Sequence, residues 1–135
     1  MTTENPTHVM TLDPDPKVAL AGLVHPQVDV VAVRQGAFHP NYRVALAALA
    51  HRISADEWVV FYAAQHAHHK VVLAALAHKC SDHGTTYYGA KHESPVVVDA
   101  ALSHSCANKG TIILAERNEW YQKHLKKLKK LKGKK

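Results

Sequence analysis

Eight lysines crowd the last thirteen residues: Lys123, Lys126, Lys127, Lys129, Lys130, Lys132, Lys134 and Lys135, with Leu125, Leu128 and Leu131 between them. An ammonium group is a point charge without the planar fork by which arginine grips a phosphate or a base edge. A run of lysines therefore binds polyanions by releasing their counterions and reads no sequence. The predicted chemistry is non-specific contact with nucleic acid phosphates through these eight side chains. Two other readings share the composition. A basic helix with a leucine face is also the pattern of a membrane-surface or calmodulin-type ligand, and a solvated helix end that only aids solubility looks the same. No RNP, KH, zinc-finger or helix-turn-helix pattern accompanies the run, which argues against base-specific readout. Trp120 and Tyr121, just upstream, are expected to anchor the last helix in the core rather than to stack on a ligand.

Twelve histidines are many for 135 residues, and His66, His68, His69, His78 and His83 cluster in the middle of the chain. Neutral imidazole is a metal ligand, and Cys80 and His83 followed by His104 and Cys106 make up a two-Cys, two-His set of the kind that holds zinc tetrahedrally. The chain between His83 and His104 is long enough to fold back. The second pair is spaced by two, however, which on a continuous helix points the side chains apart, so the site requires a helix to end near His104. Zinc at Cys80, His83, His104 and Cys106 is the alternative to a protein without a cofactor. Neither a His-Glu-x-x-His pattern nor a Glu-x-x-His pair is present, and His66 and His69 read as buried, hydrogen-bonded or interface histidines. No catalytic motif stands out, and the chain reads as a non-enzyme.

The formal charge of +6 is unevenly placed. Residues 109–135 hold ten bases against Glu116 and Glu119, which is +8, and the rest of the chain carries seven bases and nine acids, or −2. A near-neutral body with a cationic end concentrates attraction for an anion in one segment. With 47% hydrophobic and 21% charged residues the composition is that of one ordinary folded domain. Two cysteines are too few for a disulfide framework, and no apolar run is long enough to cross a membrane. A soluble protein of a reducing compartment follows, cytoplasmic or within a nucleoprotein or viral particle, with no leader at its start.

These residues need helices to hold them. Residues 1–14 are polar with two prolines and read as a flexible lead-in. Asp15-Pro16 opens a helix to about Val24. Val28 to Val33 is β-branched and reads as a short strand, and Tyr42 to Arg52 as a helix. Ser54 and Glu57 form a capping box that starts a spine helix from Ala55 to about Asp82, ending at a left-handed Gly84. On that spine Val59, Tyr62, His66, His69, Leu73, Leu76, Cys80 and His83 share one stripe. Gly84 to Glu93 reads as a loop, Ser94-Pro95 opens a helix to about Ala107, and Thr111 begins the last helix. No long repeat period is apparent, which argues against a solenoid or propeller. The expected fold is mainly α, a helical bundle around one long central helix over residues 15–121, with a basic amphipathic tail over 122–135. The expected function is that of a small non-enzymatic nucleic-acid-binding accessory or assembly protein. The alternatives are a structural subunit of a larger assembly, such as a virion connector or nucleoprotein particle, that self-associates through its helices, and a zinc- or histidine-dependent metalloprotein.

Overall fold

Asp or Asn recurs at 29, 56, 82 and 108, and each caps a helix with its side chain: Asp29 accepts from the Ala32 amide, Asp56 from Trp58 and Val59, Asp82 from Thr85, and Asn108 from Gly110 and Thr111. The nearly constant step from each cap to the next is the period of the molecule. The computed structural model describes residues 5–53 and 56–133, and these are mainly α: ten helices and no strand among the described residues. They are α1 (Pro6–Leu12), α2 (Pro16–Leu23), α3 (Val30–Phe38), α4 (Tyr42–Leu49), α5 (Glu57–Ala64), α6 (His69–Ala77), α7 (His83–Ala90), α8 (Pro95–Ser103), α9 (Lys109–Glu116) and α10 (Glu119–Gly133). Odd helices pack on odd and even on even, each also on its hairpin partner, and no helix reaches beyond the adjoining repeat. The result is a two-layer stack of five helical hairpins, a short α-solenoid.

The core columns are small. Val33, Val44, Val59, Val60, Val71, Val72, Val97 and Val98 are fully buried, with Ala32, Ala37, Ala45, Ala48, Ala63, Ala75 and Ala101 between them. Small side chains let helices approach closely, and two glycines mark tight points. A Cβ on Gly89 would lie 2.9 Å from the Cβ of Ala101, and one on Gly36 would lie 3.2 Å from that of Ala48. Each buried valine is worth roughly 1.5–3 kcal/mol, so a core of this kind needs its polar groups well satisfied.

Histidines satisfy many of them. At His25, His39, His51, His66, His78, His92 and His104 the ring Nδ1 accepts from the backbone amide two residues on. An amide only donates, so the ring proton sits on Nε2. That proton is given to a carbonyl of the preceding repeat by His39, to Asp13 at 2.7 Å, by His51 to Leu23 at 2.9 Å, by His66 to His39 at 2.9 Å, by His92 to Ala67 at 3.0 Å and by His104 to Leu76 at 3.0 Å. In the fifth repeat Asn118 takes the place, donating to the carbonyls of Ala90 and His92 at 2.8 Å each. Each ring closes one turn, and those of His39, His51, His66, His92 and His104 satisfy carbonyls that helix ends leave without an intrahelical partner.

Several sequence expectations are corrected. The spine helix is two helices: α5 ends at Ala64 with Gln65 as its C-cap, after which the His66 ring accepts from the His68 amide and the His68 ring caps the Lys70 amide. His69 and His83 therefore leave the core stripe for the surface. Among the described residues there is no long central helix, and the period that would have indicated a solenoid was hidden because the repeated positions hold interchangeable small residues. Val28 to Val33 is not a strand, because Asp29 caps a helix there. Gly84 to Glu93 is mostly helix α7, held by a capping box between Asp82 and Thr85; its glycines lie within the helix, and no described residue has a positive φ. The lead-in contains α1, which Asn5 caps and Pro6 begins. Asn118 divides the last helix into α9 and α10, and α8 ends at Ser103 rather than near Ala107. Ser54 lies outside the described residues, and the cap before Glu57 is Asp56. The start at Asp15-Pro16 and the helix from Tyr42 stand as expected.

The fold has an acid sensitivity whose direction follows from His78 and His68. Burial, followed by the charge of Lys79, holds the His78 ring below the usual histidine range, and burial followed by His69 does the same for His68. A histidine whose pKa is depressed in the folded chain contributes stability above the unfolded value of about 6.5 and loses it as pH falls through that range, because the unfolded chain takes up the proton first. Burial pushes the Asp29 carboxyl up, but the Ala32 amide and His8 outweigh it and leave it below the usual range; Arg34 holds Asp56 low as well. The contribution of these two carboxylates is lost only below about pH 4. Thermal melts by circular dichroism are expected to show Tm falling between pH 7 and pH 5, with His78→Gln flattening that slope; a pH-independent Tm over the window contradicts it.

Candidate functional site

The period explains how the basic segment is presented. Val44, Val71 and Val97 occupy one buried column, Ala48, Ala75 and Ala101 another, and His51, His78 and His104 mark the ends of the even helices. One period further on, these columns hold Lys123, Lys127 and Lys130 in α10. A helix with Lys123 and Lys127 in the two buried columns cannot be covered as its predecessors are. Only its start is held: Tyr121 is buried and its hydroxyl donates to Asp99 at 2.5 Å, a bond that with burial pushes the phenol up to about 12. The Tyr121 amide donates to Asn118, and the Gln122 side chain donates to the Ala115 carbonyl. Beyond Gln122 the helix continues for about three more turns, with Lys123, Lys126, Lys127, Lys129, Lys130 and Lys132 all exposed. Lys130 and Lys132 lie in the last turn, where the helix dipole favours cations. Lys134 and Lys135 lie outside the described residues. Tyr121 is the core anchor expected of it; Trp120 is not, being 57% exposed.

The four candidate zinc ligands do not converge. His104 has both ring nitrogens occupied, by the Leu76 carbonyl and the Cys106 amide. The Cys106 thiol lies 4.0 Å from the Ser81 carbonyl, Cys80 packs against the main core, and His83 is exposed with its ring edge-on to Tyr87 at 5.6 Å. Among the described residues no group of three or more His, Cys, Asp or Glu side chains is placed to share a metal ion. The repeat accounts for the pattern that suggested zinc: His78 and His104 are one column, and Cys80 and Cys106 are another.

A second surface was not foreseen. Among the described residues Tyr121 is the one Phe, Tyr or Trp residue that is buried; Tyr42, Tyr62 and Tyr88 are half-buried against the main core, and Phe38, Trp58 and Trp120 are exposed. On the outer side of the odd helices Phe38 meets Tyr62 edge-on at 5.6 Å, Trp58 and Phe61 flank Tyr62, and Phe61 meets Tyr88 at 5.5 Å. Lys91 sits 4.7 Å over the Tyr88 ring. Three open hollows run along this side. One of about 530 Å³ lies between Leu12, Val31, Phe38 and Tyr62, with Arg34 held to Asp56 at 2.8 Å on its wall. One of about 300 Å³ shares Phe38 and Tyr62 with it. The third, of about 310 Å³, shares Gln65, His66 and Ala67 with the second and ends at Tyr88, Lys91 and Trp120. At the adjacent hairpin turns the Tyr42 ring stacks on His68 at 4.3 Å and His68 on His69 at 4.8 Å. The guanidinium of Arg43 donates to the Tyr42 hydroxyl and holds its phenol below the usual range, and Lys70 lies 5.9 Å from the same ring.

Exposed Phe38, Trp58 and Trp120 beside half-buried Phe61, Tyr62 and Tyr88, in a chain whose core is mostly valine and alanine, are the composition of a contact surface, since aromatics concentrate where a partner is bound. The signal was present in the sequence. Phe61 and Tyr87 share one column with Arg34, Tyr62 and Tyr88 another with Gln35, and the buried columns lie beside them; without the period Tyr62 reads as part of a core stripe and Tyr87 and Tyr88 as part of a loop. Compared with known family models, with curated proteins and with solved structures, the chain matches none.

Proposed function

We propose that this chain is a non-enzymatic accessory or assembly protein that engages nucleic acid phosphates, without sequence specificity, through its C-terminal helix, using the repeat stack as a rigid platform. The observation that carries this reading is the replacement of two buried columns by Lys123 and Lys127, and of the half-buried histidine column by Lys130, at the point where α10 leaves the stack. A terminal repeat requires a polar outer face, but capping alone calls for mixed polar residues. Here a net charge of +8 is gathered in residues 109–135, and a rigid helix holds six of its lysines clear of the body. The setting that goes with it is the cytoplasm or a nucleoprotein particle. No helix of the described residues is long and apolar enough to cross a membrane.

One observation favours a second reading, a structural subunit that stacks end to end. Ile112 occupies the column in which Val33, Val60 and Thr86 are buried by the following repeat, and it is 49% exposed. A further copy placed there would cover it, as in any stack that lacks a terminal cap.

Replacing Lys126, Lys127, Lys129 and Lys130 together with Gln tests the leading reading. Binding to labelled duplex DNA, to RNA and to anionic vesicles is measured by anisotropy or co-sedimentation across a salt series. Four lost phosphate contacts should flatten the slope of log K against log salt by about 3–4 and weaken nucleic acid binding more than about tenfold at roughly 0.1 M salt. Unchanged binding, or binding to vesicles alone, contradicts it. Light scattering on the same samples separates the second reading, which requires mass to grow with concentration and Ile112→Lys to abolish that growth.

A further inference from the structure

The aromatic groove and the basic helix are continuous. Trp120, the last ring of the groove, is the second residue of α10, and the lysines begin three residues later. Along the three hollows, which share lining residues, one ring per repeat stands on the wall: Phe38 in the second, Tyr62 in the third, Tyr88 in the fourth and Trp120 in the fifth, with Tyr62 and Tyr88 half-buried. Phe38 and Trp120, at the two ends, are well open to solvent, at 62% and 57% exposure. Cations accompany the rings, with Lys91 over Tyr88 within the groove and Arg43 and Lys70 around Tyr42 and His68 at its rim. Glu93 is the acid on the wall of the third hollow.

We propose that this groove is a stacking platform for single-stranded nucleic acid, one base to each ring of Phe38, Tyr62, Tyr88 and Trp120, with the strand's phosphates led onto Lys91 and then onto the lysines of α10. The inference rests on the polyanion reading above and narrows it to one class of nucleic acid. Two physical arguments carry it. Every base has a π face, so a row of rings beside cations binds unpaired bases whatever their sequence, and a duplex, whose bases are stacked on one another, cannot use it. Helical repeats also advance along the stack in steps that suit one base per repeat. A protein ligand would use the same rings as apolar anchors, but the charge at the groove's open end favours a polyanion: the strand that leaves Trp120 meets Lys123, Lys126 and Lys127 at once.

The test uses the full-length chain, labelled oligo-dT of about fifteen nucleotides and a duplex of equal length, with binding read by anisotropy over a salt series. Trp120→Leu and Phe38→Leu remove exposed rings without altering charge, and Trp120→Phe keeps a ring. The expected result is tighter binding of the single strand than of the duplex and a loss of about tenfold or more for the single strand in each Leu variant. Duplex binding and the salt slope should be unchanged, and Trp120→Phe should retain most of the affinity. In a Trp58→Phe background Trp120 is the one tryptophan left, and its fluorescence should be quenched by oligo-dT. Equal binding of the single strand by Trp120→Leu, Phe38→Leu and the parent overturns the stacking platform while leaving the lysine helix standing as a phosphate contact. Equal loss of single-strand and duplex binding in the Leu variants also overturns it. If the parent chain binds neither nucleic acid, the polyanion reading fails, and this inference with it; capture of the groove by an apolar peptide that oligo-dT does not displace overturns the groove's assignment alone.

Discussion

A helix end leaves carbonyls without partners, and the described residues of this chain make ten short helices, each of which has to be finished. The solution is a neutral imidazole that accepts from its own turn and donates to the repeat before it. Valine and alanine bring the helices close but specify little, because one small apolar side chain fits much as another does. The ring has one acceptor, one donor and a fixed distance between them, so it sets the offset between successive hairpins. Where the ring is replaced by Asn118, the side-chain amide donates to two carbonyls of the fourth repeat and its oxygen receives the Tyr121 amide, which keeps the start of α10 in place. That registry ties each repeat to the one before it from the second to the fourth, and Asn118 ties the fifth.

The fold was legible in part. Caps and prolines marked correct starts at Asp15-Pro16, Asn41-Tyr42 and Ser94-Pro95, because these signals act within a few residues and need no tertiary partner. The break at Gln65 was not legible from helix propensity, since Gln65, His66 and Ala67 suit a helix well enough; the bond from His66 to the His39 carbonyl decides it, and its partner lies far back in the chain. For the same reason Gly89 was misread. Its sequence neighbours suggest a loop, while its role is to admit the Ala101 methyl. What would have exposed all of this is the recurrence of Asp, His and Leu at one fixed interval, as in Asp56, His66, Leu76 and His78 followed by Asp82, His92, Leu102 and His104.

The same recurrence separates structure from function among the residues that first drew notice. Most of the histidines and both cysteines fall on repeated columns and are explained by the stack. The lysines of α10 and the rings of the outer side are not explained that way: Lys123 and Lys127 stand in columns that the stack fills with valine and alanine, and on the outer side Phe38, Trp58 and Trp120 are exposed while Tyr62 and Tyr88 are only half-covered. Residues that interrupt a repeat, or vary where the repeat makes no demand, are the ones free to meet a partner. On this molecule the two sets adjoin at Trp120.

The most direct measurement of the histidine registry is a long-range ¹H–¹⁵N correlation spectrum of the imidazole rings near neutral pH. His39, His51, His66, His92 and His104 should each give the pattern of a fixed neutral ring with the proton on Nε2 and an unprotonated Nδ1, as their paired bonds require. Rings that instead carry the proton on Nδ1, or that average between tautomers as free imidazole does, would show that these side chains do not tie one repeat to the next.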